Sequence, residues 1–231
     1  MPDFSQSAVG LEPPTVIDHV LLPVADLESA ARTIQDRYGL HANEGGRHAT
    51  GGTANYIVPL GRQYLELIAV VDAHAAEGSR LGSRVMEAVR EGNTFVAWAL
   101  RTTGLDALRA KLLDSGWDLP PIVEGSRRRP DGQLLSWRTQ DVDRGSEPSA
   151  IPFVIEWKIA DGLHPGQAAA THRGGAVSIR RVVVGARDPD RARARVHLLL
   201  GESDMYEVRA SEAEGVVELV LAHAGRETVI S

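Results

Sequence analysis

The pattern that most constrains the fold of this chain is a succession of predicted elements that occurs three times. Apolar runs rich in Val, Ile and Leu predict strands that start near residues 16, 94 and 177, and a helical pattern and further strands follow each one. The starts are separated by about 78 and about 83 residues, and self-similarity at so long a period indicates repeated supersecondary units. The 231 residues therefore predict modules of mixed α+β class in the order βαβββ.

The repeat also predicts how the chain is divided. The segments are a flexible leader at 1–14, a main domain at 15–160 with module one at 15–72 and module two at 93–160, a linker at 161–175 and a third module at 176–231. Because few residues remain for the third module, we expect it to be abbreviated to a βαβ-type unit.

Composition and charge exclude several classes of protein. The chain has no cysteine, so disulfides, thiolate metal sites and a cysteine nucleophile are excluded. The net charge is −6 and the one dense basic run in the sequence is Arg127–Arg129, which argues against a nucleic-acid partner. No apolar run approaches the roughly 18 residues of a membrane span. A targeting segment requires basic residues near its start, and none precedes Arg32. We expect a cytoplasmic protein without a membrane partner.

Several short motifs give the repeat a family resemblance. In chain order they are Ile17-Asp18-His19-Val20, Gly46-Arg47-His48, Gly52-Thr53-Ala54-Asn55, Tyr64-Leu65-Glu66-Leu67, Arg129-Pro130-Asp131-Gly132, Trp137 and the stretch from Pro152-Phe153 to Glu156-Trp157. Over about residues 15–160 the chain resembles the vicinal oxygen chelate superfamily, which includes glyoxalase I, extradiol dioxygenases and bleomycin-resistance proteins. Within it the chain is most similar to the glyoxalase-like domain family. The resemblance implies tandem modules whose curved mixed sheets form half barrels, with the helices on the convex side.

Strand alternation indicates which side chains face the concave surface of each module. In the first strand we expect His19 and Ile17 on the concave face, and in the fourth strand Glu66 and Tyr64. In the eighth strand an apolar and aromatic row takes one face and leaves Glu156 on the other. Three ionisable side chains are therefore expected to point into one cavity.

The resemblance also implies a metal site, because the superfamily places its ligands on the first and last strands of each module. The positions that match are His19, Glu66 and Glu156, whereas the fourth falls at Ala97, which cannot ligate. Oxygen-rich ligation with open positions suits Mn, Mg or Fe(II) better than a closed Zn site, and these four ions are the cofactor candidates. The alternative for each carboxylate is an ion pair with an arginine, because a buried unpaired carboxylate is costly.

Other side chains are candidates for catalysis and substrate binding. His48, in a glycine-rich turn, could act as a general base or supply the missing ligand. The substrate-binding candidates are Asn55, Tyr64, Arg127, Arg129 and Trp137. Alternation sends the two arginines to one face, where a guanidinium could anchor an acidic substrate. The alternative for His48 is a surface position in its loop, and for Asn55 a hydrogen bond that only satisfies the backbone. The alternative for the two arginines is a solvated hairpin.

Two functions of different classes follow from these residues. The first is a metal-dependent small-molecule enzyme of isomerase, lyase or dioxygenase type, in which the ion binds vicinal oxygens of the substrate and His48 moves the proton. The second is a metal-free binding protein of the bleomycin-resistance type, in which Tyr64, Trp98 and Trp137 stack on the ligand. The alanine at position 97 favours the second function. A homodimer is possible in both cases.

Overall fold

A computed structural model describes residues 15–48, 50–142, 149–223 and 225–231, and the predicted leader at 1–14 lies outside them. The elements are β1 (Val16–Pro23), α1 (Leu27–Tyr38), β2 (Asn43–His48), β3 (Thr53–Pro59), β4 (Tyr64–Val70), α2 (Ala73–Glu77), α3 (Arg80–Glu91), β5 (Ala97–Arg101), α4 (Leu105–Asp114), β6 (Val123–Arg128), β7 (Leu134–Gln140), β8 (Phe153–Trp157), β9 (Val177–Ala186), α5 (Pro189–Leu200), β10 (Tyr206–Ala210), β11 (Gly215–His223) and β12 (Arg226–Ile230). None of the described helices is both long enough and apolar enough to cross a membrane.

Modules one and two together form one closed barrel of eight strands, in the order β1-β4-β3-β2-β6-β7-β8-β5. Within each module the first strand pairs in parallel with the fourth, β1 with β4 and β5 with β8. The modules join at two antiparallel seams, β1 with β5 and β2 with β6. This confirms the predicted tandem modules, and the two half barrels enclose a common interior.

Local chemistry explains why α1 begins and ends where it does. The Asp26 side chain accepts a hydrogen bond from the Ser29 amide at 2.7 Å, which caps the start of the helix. Gly39, with φ of 70°, ends it in a left-handed conformation that a glycine adopts without strain. Ile34 buries the inner face of α1 in the core outside the barrel.

The two faces of β4 follow the predicted alternation, whereas one residue of β1 does not. Leu65 and Leu67 are fully buried in the core outside the barrel, and Tyr64 and Glu66 face the interior. Ile17 also lies in the outer core, because the register of β1 against β5 shifts just before His19. Such a bulge reverses the alternation locally, so the prediction that Ile17 shares the face of His19 is wrong.

The third module has the predicted βαβ unit, in which β9 and β10 are parallel and α5 connects them. Antiparallel strands β11 and β12 follow this unit and complete a sheet in the order β10-β9-β11-β12. Its strand order differs from that of the barrel modules: its first strand, β9, pairs in parallel with its second, β10, rather than with its fourth. Val182 and Leu219 of this sheet are fully buried in the same hydrophobic cluster as Trp98 of the barrel.

Residues 161–175, predicted as a linker, pack closely against module one, and we call them the strap. The His172 ring accepts a hydrogen bond from the His41 amide at 3.0 Å and lies 2.7 Å from the Pro59 carbonyl oxygen. The Arg173 amide donates to the Gly39 carbonyl at 2.7 Å. The strap therefore fixes the path from the barrel to the third module.

Candidate functional site

The barrel interior contains a cavity of about 610 Å³, a size that suits a small molecule. Both modules and the start of α3 contribute to its wall. Its lining includes His19, Leu21, His48, Thr53, Asn55, Tyr64, Glu66, Ser79, Arg80, Arg84, Ala97, Arg127, Trp137, Thr139, Phe153, Ile155 and Trp157. Most of the predicted site residues thus meet in one place.

Glu66 lies between two histidines of this wall. Its Oε2 is 3.6 Å from Nε2 of His19, and its Oε1 is 3.8 Å from Nε2 of His48. The Asn55 amide donates to Oε1 at 2.6 Å and also lies 3.4 Å from Nε2 of His48. The amide therefore fixes the carboxylate with one oxygen toward each imidazole.

His19 is held in place on three sides. Its Nδ1 lies 2.8 Å from Oδ2 of Asp18, which is completely buried. Its ring stacks on Tyr64 with centroids 4.4 Å apart and planes 11° apart, and Phe153 meets it edge-on. The ring can therefore present only Nε2 to the cavity.

His48 is neutral near pH 7 and offers a lone pair to the cavity. Burial lowers the pKa of His48, Arg127 and His19 lower it further, and Glu66 opposes them without reversing the shift. Its Nδ1 lies 2.7 Å from the Thr53 hydroxyl. The Asn55 amide nitrogen, which can only donate, lies 3.4 Å from Nε2, and this contact favours the tautomer with the lone pair on Nε2 that a general base requires.

Tyr64 provides a hydroxyl that stays protonated. Burial raises the pKa of Tyr64 well above its usual value, and the nearby Glu66 and Asp18 carboxylates raise it further. The hydroxyl makes no hydrogen bond to another described residue. It is therefore available as a hydrogen-bond donor to a molecule in the cavity.

Arg127 places a buried positive charge in the cavity wall. The side chain is only 4% exposed, and its guanidinium donates to the Gly45 carbonyl. No described carboxylate lies within 4 Å of it; burial lowers the pKa of Arg127, and the more distant Glu66 carboxylate opposes this shift without reversing it. A buried cation that forms no direct ion pair with a described carboxylate favours an anionic ligand.

Glu156 lies outside the cavity, and the prediction that it joins His19 and Glu66 is wrong. Its Oε2 accepts from Arg138 at 2.6 Å and lies 2.8 Å from the Lys158 ammonium. Burial alone would raise the pKa of Glu156, but these bonds lower it. The physical reason is the alternation of β8, whose aromatic and apolar row at 153, 155 and 157 faces the interior.

Two further predicted residues also lie elsewhere. Strand β6 ends at Arg128, so Arg129 lies in the following turn, where it pairs with Asp131 at 3.2 Å rather than sharing a face with Arg127. Trp98 is completely buried in the outer core and donates to the Ala150 carbonyl at 3.0 Å, so it cannot stack on a ligand in the cavity. Trp137, by contrast, lines the cavity and meets His48 edge-on at 5.8 Å.

The residues present do not fit the divalent ion that the resemblance implies. His19, His48 and Glu66 are the ligand candidates that meet, but each histidine approaches a different oxygen of the carboxylate. Over the described ranges, no three His, Asp or Glu side chains are arranged so that they could hold a metal ion. Ala97, at the fourth ligand position that the resemblance implies, lines the cavity but has no side-chain atom that could bind a metal.

Asp18 and His164 are the site residues that sequence reasoning missed. Asp18 precedes His19 directly, and alternation sends it away from the cavity. Its signal was a carboxylate next to a histidine within an otherwise apolar strand. His164 comes from the strap, and nothing in its local sequence indicates that it reaches Asp18.

A barrel of two βαβββ modules, with His19 and Glu66 facing its interior from the first and fourth strands, defines a protein of the vicinal oxygen chelate class. The glyoxalase-like domain model matches residues 17–200, most of the chain, and the chain belongs to that family. The match extends beyond the predicted end of the main domain at 160 into the third module.

A solved structure of similar architecture supports the fold. A hypothetical protein from Staphylococcus aureus is 16% identical, with 91% of this chain and 92% of that chain covered and a TM-score of 0.71. Methylmalonyl-CoA epimerase from Mycobacterium tuberculosis is 20% identical over 68% of this chain and 96% of that chain, with a TM-score of 0.47. No curated protein matches the chain.

Proposed function

We propose that this protein is an enzyme that binds a small acidic carbonyl compound inside the barrel and transfers a proton at the carbon next to the carbonyl. One observation carries the proposal: neutral His48, Glu66 and the buried Arg127 all face one cavity. Membership of a glyoxalase-like family supports it. The groups that face the cavity suit an isomerase or a lyase.

Each group has a role that follows from its surroundings. Arg127 pairs with the substrate carboxylate, which holds the molecule in one orientation. Nε2 of His48 takes the proton, and the electron pair of the broken C–H bond moves into the carbonyl to form an enolate. The Tyr64 hydroxyl donates to the enolate oxygen, and the Glu66 carboxylate stabilises the imidazolium that forms 3.8 Å away. Return of the proton gives an isomerase, and loss of a leaving group gives a lyase.

The second candidate function is metal-free binding and sequestration of a small molecule. Ala97 in the wall and the aromatic faces of Trp137 and Trp157 favour it, because they make part of the cavity a passive apolar surface. A binding protein would release its ligand unchanged. An enzyme would exchange a C–H proton of the ligand with solvent or convert the ligand to a product.

Solvent deuterium exchange tests the proposal and separates the two functions. The protein is incubated in D₂O with a panel of 2-oxo acids and malonate-type acids, and loss of the C–H signal is followed by proton NMR. We expect exchange with at least one acid, a decrease of about 100-fold or more in His48→Gln, and no change in the control Arg129→Gln. Binding without exchange would favour the sequestration function.

The same assay tests the predicted metal dependence. Mn, Mg, Fe(II) or Zn is added to the metal-stripped protein before the acids. Exchange in the presence of a chelator supports the proposal. Exchange that requires a stoichiometric ion, and that is lost in His19→Ala and Glu66→Ala, would overturn it in favour of the metal-dependent enzyme.

A further inference from the structure

Asp18, the residue before His19 on β1, is completely buried and yet accepts four hydrogen bonds. Its Oδ2 accepts from Nδ1 of His19 at 2.8 Å and from the indole of Trp157 at 3.2 Å. Its Oδ1 accepts from Nε2 of His164 at 2.9 Å and from the guanidinium of Arg101 at 3.0 Å. Four donors use the full acceptor capacity of a carboxylate.

The protonation of this cluster follows from its contacts. Each of the four contacts of the Asp18 carboxylate is with a donor, and the guanidinium of Arg101 carries a permanent charge. Asp18 is therefore ionised and can only accept. His164 accepts from the Gly166 amide through Nδ1 at 3.2 Å, so its own proton is on Nε2 and is donated to Asp18.

We infer that Asp18 is a positioning residue that fixes His19 in the tautomer with its proton on Nδ1. Nε2 then presents a lone pair to the cavity, 3.6 Å from Oε2 of Glu66. In this tautomer Nε2 and the Glu66 oxygen are both acceptors, so one hydrogen-bond donor of the ligand can contact both of them. Together with Arg127, this pair selects an acid that also carries a hydroxyl or enol group; that step alone rests on the proposed function.

Donors from four parts of the chain meet on this one carboxylate. His19 lies on β1, Arg101 at the end of β5, Trp157 at the end of β8, and His164 in the strap. The strap therefore connects the segment that leads to the third module with the orientation of a cavity histidine. This gives the strap a role beyond that of a linker.

Proton NMR of protein labelled with ¹⁵N in its histidine rings tests the inference in the absence of any ligand. At pH 7 we expect a one-bond N–H coupling on Nδ1 of His19 and none on Nε2. A proton on Nε2, or on both nitrogens, would overturn the inference. This measurement uses the wild-type chain, so it determines the tautomer of His19 even if a variant fails to fold.

The variant Asp18→Asn provides a second test. The asparagine oxygen should face Arg101 and His164, which both donate, so the amide NH₂ should face Nδ1 of His19. We expect the His19 proton to move to Nε2, where it points at Glu66. The control is Asp26→Asn, because asparagine caps a helix as well as aspartate does and the His19 tautomer should not change.

An Nδ1 proton retained by His19 in folded Asp18→Asn would contradict the inference. The tautomer is measured without substrate, and the proposed function is tested by deuterium exchange. A protein with the expected tautomer but no exchange would therefore leave the positioning role intact and refute the enzyme function.

Discussion

The ionisation of His48 is decided by its burial in the barrel wall. Burial lowers the pKa of His48, so in the folded protein the ring should titrate below the reference value of about 6.5. NMR titration of the His48 ring resonances measures this directly. A midpoint at or above the reference value would contradict the role of His48 as a neutral base at pH 7.

The same shift predicts how the free energy of unfolding depends on pH. The unfolded chain binds a proton at His48 below pH about 6.5, whereas folded His48 stays neutral until its lower pKa is reached. Unfolded protein therefore binds more protons in this window, and stability should decrease as the pH falls through it. His48→Gln should lose less stability than the wild type between pH 7 and pH 5 in urea unfolding. Equal losses would show that His48 does not contribute.

The sequence predicts individual site residues only where strand alternation is unambiguous. Tyr64 and Glu66 are flanked by leucines, so their face is determined, and the structure places both in the cavity. In β8 both faces are apolar apart from Glu156, and the pattern cannot tell the inner face from the outer one. The bulge at Ile17 cannot be predicted either, because it depends on pairing with a strand about 80 residues away.

At the level of elements, the seam between β2 and β6 brings together two groups of the site. Among the residues that the structure describes, two pairs form it, Arg47 with Arg128 and His48 with Arg127. Gly46, at φ of 132°, lies against this seam, and a Cβ there would collide with the Arg128 carbonyl oxygen. The closed barrel therefore depends on a glycine at this position.

Gly46→Ala should open this seam and destabilise the protein by more than about 2 kcal/mol, because backbone strain and a backbone collision act together. The matched control is Gly132→Ala in the β6–β7 turn, where φ is 85° and a Cβ meets nothing within 4 Å. The control should lose about 1 kcal/mol. Thermal unfolding of both variants provides the comparison, and equal losses would refute the role of the seam.

Elements with strong local signals could be predicted, and those that depend on distant contacts could not. Asp26 and Gly39 define α1 in the sequence and in the structure. Strand β12 is short and mostly polar, and its pairing with β11 is what makes it a strand. The glycines and the proline of the strap predict a linker, and its order comes from contacts with module one.

At the scale of the whole molecule, one hydrophobic cluster joins the barrel to the third module. It contains Trp98 and Leu112 from module two as well as Val182 and Leu219 from the third module. A continuous core predicts one cooperative unfolding transition. The barrel is closed within the chain, so a homodimer is not needed to complete it and stays a prediction.

Leu219→Ala tests this continuity. All four tryptophans lie in module two, so their fluorescence reports on the barrel, whereas Leu219 is in the third module. The variant should lose about 2–5 kcal/mol and shift the urea transitions followed by fluorescence and by far-ultraviolet circular dichroism equally. A fluorescence transition that does not move would show that the third module unfolds on its own.

Calorimetric titration with the tightest-binding acid of the 2-oxo and malonate-type panel is the most direct test of the claim that Arg127 holds a small anion inside the barrel. We predict binding of one acid per chain, an affinity about 10- to 100-fold weaker in Arg127→Gln, and no change in Arg129→Gln, because hydrogen bonds to a charged group contribute roughly 1.5–3 kcal/mol. Equal affinities of the wild type and a folded Arg127→Gln, or no binding by any acid, would contradict the claim.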